Sequence, residues 1–205
     1  MITINGLSKS YGENSIFTDF DLSVKEGEMV AITGVSGKGK STLLNIIGSL
    51  EPFDSGTVEV SNKNIKKLKH GEQLAFLRND VSFLFQNYAL MENHNVYDNI
   101  VLGQKQKNVK TLVEEVLDKV DLSGFENRMI NTLSGGEQQR VALARTMLKP
   151  SKLILADEPT GNLDETNSKK VWDILLELKD MDKTVVVVVT HDVHDLERFD
   201  NVINL

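Results

Sequence analysis

Apolar and polar positions divide the first 85 residues into strands and helices. Segments rich in β-branched and aromatic residues predict strands at 1–10 (MITINGLSKS), 15–24 (SIFTDFDLSV), 28–33 (EMVAIT) and 81–85 (VSFLF). Helices are predicted at 40–50 (KSTLLNIIGSL), directly after a glycine-rich stretch, and at 72–79 (EQLAFLRN). Pro52, Asp54 and Gly56 mark a turn in EPFDSG.

The pattern changes in the middle of the chain. From about 95 to 149 it is helical, with Leu112, Val116 and Val120 on one face. Buried strands are predicted at 152–156 (KLILA) and at 184–190 (TVVVVVT), an amphipathic helix at 166–180 and a last strand at 201–205. The two ends of the chain therefore predict an α/β core, with a mostly helical insertion between FLFQ and LILADE.

Composition narrows the class of protein. The 205 residues suit one domain, and 40% hydrophobic with 26% charged residues suit an ordinary soluble core. The net charge of -7 argues against nucleic acid as the main partner. The lack of cysteine excludes disulfides, thiolate metal sites and cysteine nucleophiles. Neither a secretory signal nor an apolar run of about 18 residues is present, so any membrane span is expected in another chain.

The stretch GVSGKGKST at 34–42 contains a phosphate-loop pattern, G-x-x-x-x-G-K-[ST]. Lys40 fits the lysine position, because the register on Lys38 would need a glycine at Ile32 and a hydroxyl at Gly39. Such a loop presents backbone N–H groups to an anion, and the following helix adds its partial positive charge. We expect Lys40 to meet the outer phosphates and the Ser41 hydroxyl to hold Mg²⁺. The candidate nucleotide-binding residues of this loop are Gly34, Val35, Ser36, Gly37, Lys38, Gly39, Lys40, Ser41 and Thr42.

Two acids end a predicted buried strand in LILADEP. Asp157 is expected to help hold Mg²⁺ through its water shell, and Glu158 to orient or deprotonate the attacking water. If the chain had no phosphate loop, the better interpretation of Asp157 and Glu158 would be two ordinary acids at a solvated strand end. His191 follows the valine strand at the edge where open α/β sheets bind ligands. Its position alone leaves a phosphate contact and an ordinary surface histidine equally open.

The segment LSGGEQQR at 133–140 predicts a helix start. Ser134 and Glu137 have the S-x-x-E spacing of a capping box. Gly135 and Gly136 leave the first turn bare, so an anion could approach its N–H groups closely. A well-capped helix does not explain two glycines, which are poor helix formers.

This segment resembles the signature of the ATP-binding cassette (ABC) ATPases. The other motifs of that family follow in order over essentially the whole chain: the phosphate loop, Gln86 in FLFQ, LILADEP, GNLD at 161–164 and His191. The resemblance implies a phosphate-loop NTPase core with a mainly parallel sheet and an N-terminal antiparallel β region. It implies one ATP-binding domain, 1–205, in which a helical subdomain of about 87–149 interrupts a core of about 1–86 and 150–205.

The resemblance also implies the roles of individual residues. Tyr11 would stack on adenine, although core packing is the alternative for an aromatic near a strand end. Gln86 would contact Mg²⁺ and the attacking water, and Glu158 and His191 would complete the catalytic set. Ser134, Gly135 and Gly136 would cap the ATP held by a second subunit, and Asp164 would lie near that subunit's nucleotide.

Function follows from the same resemblance. We expect an ATPase subunit that dimerises around two ATP and drives a separate transmembrane permease, on the cytoplasmic face of a bacterial membrane. GNLD and the run at 77–90 resemble a subgroup that serves lipoprotein release, macrolide or bacteriocin export and cell division. Residues 87–96 match the surface that docks the permease, although the proline common there is absent.

Two alternatives remain at this point. A soluble ABC ATPase acting on DNA ends, ribosomes or cluster assembly is disfavoured by the lack of a coiled-coil insertion, a second cassette and a basic surface signature. A module that holds ATP without turnover is disfavoured by Glu158 and His191. Lys38 stands where the family has a small residue, and we leave open whether it meets solvent, phosphate or the facing subunit. Regulation by a C-terminal domain is not expected.

Overall fold

The computed structural model describes residues 1–104, 108–161, 163–191 and 195–205, and of Asp182 the backbone only. Its strands are β1 Ile2–Tyr11, β2 Asn14–Val24, β3 Met29–Thr33, β4 Ser55–Val60, β5 Lys63–Asn64, β6 Val81–Leu84, β7 Leu153–Asp157, β8 Val185–Val189 and β9 Asn201–Asn204. Its α-helices are α1 Lys40–Ile47, α2 His70–Asn79, α3 Val96–Ile100, α4 Val109–Lys119, α5 Gly135–Leu148 and α6 Glu165–Asp182. Single 3₁₀ turns occupy Ile65–Lys67, Ile130–Thr132 and Leu196–Arg198.

The strands form two sheets. One is antiparallel with the order β2-β1-β4-β5, and the other is parallel with the order β6-β7-β8-β3-β9. The predicted fold class is therefore confirmed. In the parallel sheet β7 and β3 flank β8, so the carboxyl ends of these three strands lie side by side.

The valine strand shows how the sheet separates two hydrophobic cores. Val185, Val187 and Val189 pack in a core shared with α1 and the antiparallel sheet. Val186 and Val188 pack in a second core, shared with α5 and α6. All five are buried, as a strand covered on both faces requires.

Two sequence-based predictions differ from the structure. Gly56 is not confined to a turn, because β4 begins at Ser55 and buries Val58 and Val60. The segment 95–149 is less continuously helical than expected, since α3, α4 and α5 are separated by turns and a 3₁₀ segment. Within the described ranges, no helix combines the length and apolar character needed to cross a bilayer.

Candidate active site

The phosphate loop joins β3 to α1. Its Lys40 is the first residue of α1, and its Nζ donates to the carbonyl oxygens of Gly34 (2.9 Å) and Val35 (3.0 Å). The ammonium therefore lies back over the loop that precedes it. Backbone N–H groups of such a loop and the N-terminus of α1 make this concavity favourable for an anion.

Two loop glycines are required by close packing. A Cβ on Gly39, at φ 88°, would lie 2.3 Å from Cγ2 of Ile16 and 3.0 Å from Cζ of Phe17. A Cβ on Gly34, at φ 135°, would lie 2.6 Å from the carbonyl oxygen of Leu205. The loop is thus fixed between β2 of one sheet and the end of β9 of the other, and only glycine fits at either point.

A cavity of about 420 Å³ opens above this loop. It brings together most of the predicted site residues. Its lining residues are Tyr11, Ile16, Ser36, Gly37, Gly39, Lys40, Ser41, Thr42, Gln86, Asp157, Glu158 and Val189. Gly34, Val35 and Lys38 do not line it, and the Lys38 and Val35 side chains are exposed. Lys40 thus lines the cavity and Lys38 does not, and the assignment of Lys40 to the phosphates stays a prediction.

Asp157 ends β7 beside the first turn of α1. Its carboxylate lines the same cavity as the Ser41 side chain. Burial raises the pKa of Asp157, and the neighbouring Glu158 raises it further, while Ser41 and Lys40 act in the opposite direction. A hydroxyl and a partly desolvated carboxylate at one point are suitable oxygen ligands for Mg²⁺, either directly or through its waters.

Glu158 and His191 meet across neighbouring strands. Glu158 Oε2 lies 2.7 Å from His191 Nδ1, and the two side chains are 14% and 70% exposed. Glu158 has a φ of 51°, which is uncommon outside glycine, and its N–H donates to the Val189 carbonyl oxygen at 2.9 Å. Such backbone conformations cluster at active sites. The carboxylate is held at the mouth between this cavity and an adjoining groove of about 850 Å³.

Tyr11 is a surface residue and not part of a core. Its ring is 49% exposed at the end of β1, on the wall of the same cavity. The hydroxyl donates to Oε1 of Glu51 (3.0 Å), and Nζ of Lys9 lies 4.4 Å from the ring centroid. Sequence reasoning missed Lys9 and Glu51, because no motif links residues that are about forty positions apart.

Gln86 follows β6, and its side chain is exposed on the cavity wall. The chain then turns sharply, with Tyr88 at φ 63° and Ala89 at φ 46°. The Arg145 guanidinium of α5 holds this turn by donating to the carbonyl oxygens of Ala89 (2.7 Å) and Tyr88 (2.9 Å). The position of Gln86 is therefore tied to the helix that begins at the signature.

The signature residues do not join the cavity of their own chain. Ser134 caps α5 in the predicted capping box: Glu137 N donates to Ser134 Oγ (3.3 Å), and Ser134 N donates to Glu137 Oε2 (2.7 Å). Ser134 and Gly135 are exposed. A Cβ on Gly135 or Gly136 would meet nothing closer than 3.7 Å. Packing within the chain therefore does not require either glycine.

Asp164 also lies outside the phosphate cavity. It caps α6, accepting from Asn167 N at 2.8 Å, and its second oxygen accepts from Asn167 Nδ2 at 2.8 Å. Arg140 of α5 donates to the Asn167 side chain at 3.2 Å, which connects the signature helix to the GNLD segment. Asn162 of that segment lies outside the described residues, as do residues 105–107 of the predicted helical subdomain.

A glycine-rich loop between a parallel strand and a helix, with a hydroxyl–carboxylate pair beside it, defines a phosphate-loop nucleotide-binding protein. A family model described as ABC transporter matches residues 17–161, which is more than half of the chain. The chain belongs to the ABC transporter family. It binds and hydrolyses ATP as the ATPase subunit of such a transporter.

Relatives and solved structures agree with this assignment. The chain is 39% identical over 201 residues to the lipoprotein-releasing system ATP-binding protein LolD of Pseudoalteromonas translucida, covering 94% of this chain and 87% of the relative. It is also 39% identical over 201 residues to the cell division ATP-binding protein FtsE of Mycobacterium tuberculosis, covering 95% and 86%. These names confirm the predicted subgroup and favour the transporter interpretation over a soluble ABC ATPase.

The fold matches that of a solved dimeric ATP-binding cassette in a post-hydrolysis state, bound to ADP and Pi. The TM-score is 0.92 at 34% sequence identity, over 100% of this chain and 94% of that chain. The match covers the parallel sheet, the antiparallel sheet and the helices between them.

Proposed function

We propose that two copies of this chain close around two ATP–Mg²⁺, each nucleotide lying between the phosphate loop of one copy and the signature of the other. The observation that carries this proposal is the separation of the site within one chain. The phosphate loop, Asp157 and Glu158 share one cavity, whereas Ser134 is exposed outside it. One chain therefore holds the parts of two half-sites, and a pair completes both.

The signature glycines support a ligand from outside the chain. Each glycine in a helix costs about 0.5–1 kcal/mol relative to alanine. Neither Gly135 nor Gly136 repays that cost by close packing within its own chain. A bare first turn at an exposed helix N-terminus suits the phosphates of a nucleotide bound to the second copy.

Ser41 and Asp157 would hold Mg²⁺, with Gln86, which lines the same cavity, as a further oxygen ligand. The ion supplies charge neutralisation at the phosphates when bound. Ser41 and Asp157 both line the cavity beside Lys40. Lys40 would exchange its two carbonyl contacts for phosphate oxygens.

Glu158 would act on the attacking water. Its carboxylate is held on a strand end with limited exposure, which suits a general base or a water-orienting group. The contact between His191 Nδ1 and Glu158 holds the carboxylate in place, and the imidazole would contact the terminal phosphate of the bound nucleotide. Catalysis would thus depend on positioning and electrostatics, as is general for phosphoryl transfer.

The membrane partner would be a separate permease, which would place this subunit at the cytoplasmic face of the membrane. A groove of about 310 Å³ beside Ala89 is continuous with the predicted docking segment at 87–96. Phe83 and Phe85 stack in it with centroids 4.9 Å apart, and Leu102 is 53% exposed at its edge. An apolar helix of the permease is the proposed occupant, since exposed apolar grooves mark interaction sites.

The decisive experiment uses Glu158→Gln. This variant keeps the shape of the side chain and loses the base, so we expect ATP binding to persist, turnover to stop and an ATP-bound dimer to accumulate. Light scattering with saturating ATP and Mg²⁺ measures the dimer. Lys40→Ala is the matched control, because it removes a phosphate contact and should give neither binding nor dimer.

A Glu158→Gln variant that binds ATP but stays monomeric would contradict the shared site. Dimer formation by Glu158→Gln that also occurs with ADP would contradict the role of the outer phosphate. Retention of turnover in Glu158→Gln would remove Glu158 from the proposed mechanism.

A further inference from the structure

Three side chains form a compact cluster at the edge of the nucleotide cavity. Nζ of Lys9 lies 2.7 Å from Glu51 Oε1 and 4.4 Å from the centroid of the Tyr11 ring. The Tyr11 hydroxyl donates to the same Glu51 oxygen at 3.0 Å. Lys9 is only 5% exposed, whereas Tyr11 is 49% exposed. One face of the ring is therefore covered by a cation, and the remaining surface is open.

The cluster is attached to the carboxyl end of α1. Residues 9 and 11 are two apart on β1, so their side chains share one face of the antiparallel sheet. Glu51 lies just beyond the other end of α1, where its N–H donates to the Asn45 carbonyl oxygen at 3.2 Å. The first residue of α1 is Lys40 of the phosphate loop. A rigid helix thus sets the distance between the phosphate loop and the carboxylate that holds the Tyr11 hydroxyl.

The charges of the cluster favour this arrangement. The hydrogen bond to Glu51 raises the pKa of Lys9, and hydrogen bonds from Lys9 and Tyr11 lower the pKa of Glu51. At neutral pH the pair is therefore charged, and the ammonium is attracted to the negative face of the aromatic ring. A tethered hydroxyl and an occupied face leave the ring little freedom to rotate.

We propose that Lys9 and Glu51 are positioning residues that hold Tyr11 as the platform for the nucleotide base. Helix α1 sets the distance between this platform and the phosphate loop. This inference rests on the proposed binding of ATP in the cavity. It assigns Lys9 and Glu51 a role in base binding, whereas a purely structural ion pair would only support the antiparallel sheet.

The test compares a ligand with a base and a ligand without one. Dissociation constants are measured for ATP and for inorganic tripolyphosphate, by isothermal titration, in Tyr11→Ala, Lys9→Met, Lys9→Arg and Tyr11→Phe. Loss of the ring should weaken ATP binding by about 5- to 150-fold, the range of base–aromatic stacking. Lys9→Met should weaken it by about 3- to 10-fold, and Tyr11→Phe by about 2- to 5-fold. Tripolyphosphate binding should change by less than about twofold in every variant.

Two comparisons separate positioning from stability. Lys9→Arg keeps the cation and should restore ATP affinity to within about twofold of the original chain. Lys63→Met is the matched control, since Lys63 pairs with Asp80 and lies 5.7 Å from the Phe76 ring centroid, away from the cavity. It should leave ATP affinity unchanged.

Several results would overturn the inference. Equal losses for ATP and tripolyphosphate would show that Lys9 acts on the phosphate loop or on folding. ATP affinity that falls in Tyr11→Ala but not in Lys9→Met or Tyr11→Phe would refute the positioning role and leave the proposed function intact. If Lys9→Met fails to fold, the test rests on Tyr11→Phe, which changes an exposed side chain. An unchanged ATP affinity of Tyr11→Phe would then refute the role of the hydrogen bond between Tyr11 and Glu51. Failure of the unmodified chain to bind ATP would instead refute the proposed function.

Discussion

Replacing Gly136 by alanine should make the chain more stable and less active. Gly136 is the second residue of α5, and an added Cβ would lie 3.7 Å from Leu163 Cδ2 and 3.9 Å from Arg140 Nη1. These are ordinary van der Waals distances, and the backbone of Gly136 is not in the left-handed region. The methyl group therefore fits the isolated chain without displacing a neighbour.

The size of the stability change follows from helix propensity. Alanine in place of glycine stabilises a helix by about 0.5–1 kcal/mol. For a chain of this length 1 kcal/mol corresponds to about 2–4 °C in Tm. Gly136→Ala should therefore raise the Tm of the nucleotide-free monomer by about 1–4 °C. Gly71→Ala is the matched control, since Gly71 is the second residue of α2 and its Cβ would meet nothing within 4 Å.

The two variants should differ in turnover. If the first turn of α5 meets the ATP of the second copy, an inserted methyl group costs about 1–3 kcal/mol of overpacking there. That cost lowers turnover by about 5- to 150-fold, while ATP affinity of the monomer stays unchanged. Thermal unfolding monitored by circular dichroism, a steady-state phosphate-release assay and titration with ATP supply the three measurements.

Two outcomes would refute this reasoning. Unchanged turnover in Gly136→Ala, together with the expected rise in Tm, would mean that no ligand approaches the first turn of α5. A fall in Tm for Gly136→Ala, beside a rise for Gly71→Ala, would mean that the glycine is needed within its own chain.

Three further predictions concern single side chains. Ser134→Arg should abolish turnover and leave ATP affinity of the monomer unchanged by titration, because Ser134 lies outside its own chain's cavity; a large loss of affinity would contradict this. Burial lowers the pKa of Lys149 to about 8, so between pH 8 and 10.5 the unfolded chain binds the extra proton and stability rises with pH. Urea unfolding should show that, from pH 7.5 to 9.5, the free energy of unfolding of the unmodified chain rises by at most about 2 kcal/mol more than that of Lys149→Met. An equal change of this free energy with pH in the two proteins would refute the prediction. Lys38→Ser should leave ATP affinity unchanged, since the exposed Lys38 does not line the cavity; an effect on light-scattering dimerisation alone would assign Lys38 to the facing subunit.

Local spacing made the phosphate loop predictable from the sequence. The register that selects Lys40 depends on contiguous residues, and the structure gives Lys40 rather than Lys38 access to the cavity. Strand order could not be read in the same way. The turn residues Pro52 and Asp54 obscured the start of β4, although Val58 and Val60 alternate as a strand with one buried face should.

Some contacts in the candidate site could be predicted from the sequence, and others depend on how distant segments pack. Glu158 and His191 were each expected at a strand end, and they meet because β7 and β8 are parallel neighbours. The contact of Glu51 with Tyr11 depends on how α1 packs beneath the antiparallel sheet, which no local pattern encodes. The cap of α6 is local by contrast, because Asp164 accepts from Asn167 N three residues further on, at the start of the helix that the sequence predicts.

Each of the two sheets has its own hydrogen-bonded ladder of strands. The cavity wall contains Tyr11 of the antiparallel sheet and the phosphate loop, which follows β3 of the parallel sheet. A nucleotide that touches both would therefore add a removable cross-link between the two layers. At a concentration one hundred times its dissociation constant, such a ligand adds about 2.7 kcal/mol to the folded state. Each round of hydrolysis and release would cut and remake that cross-link, so the stiffness of the subunit would rise and fall with the nucleotide it holds.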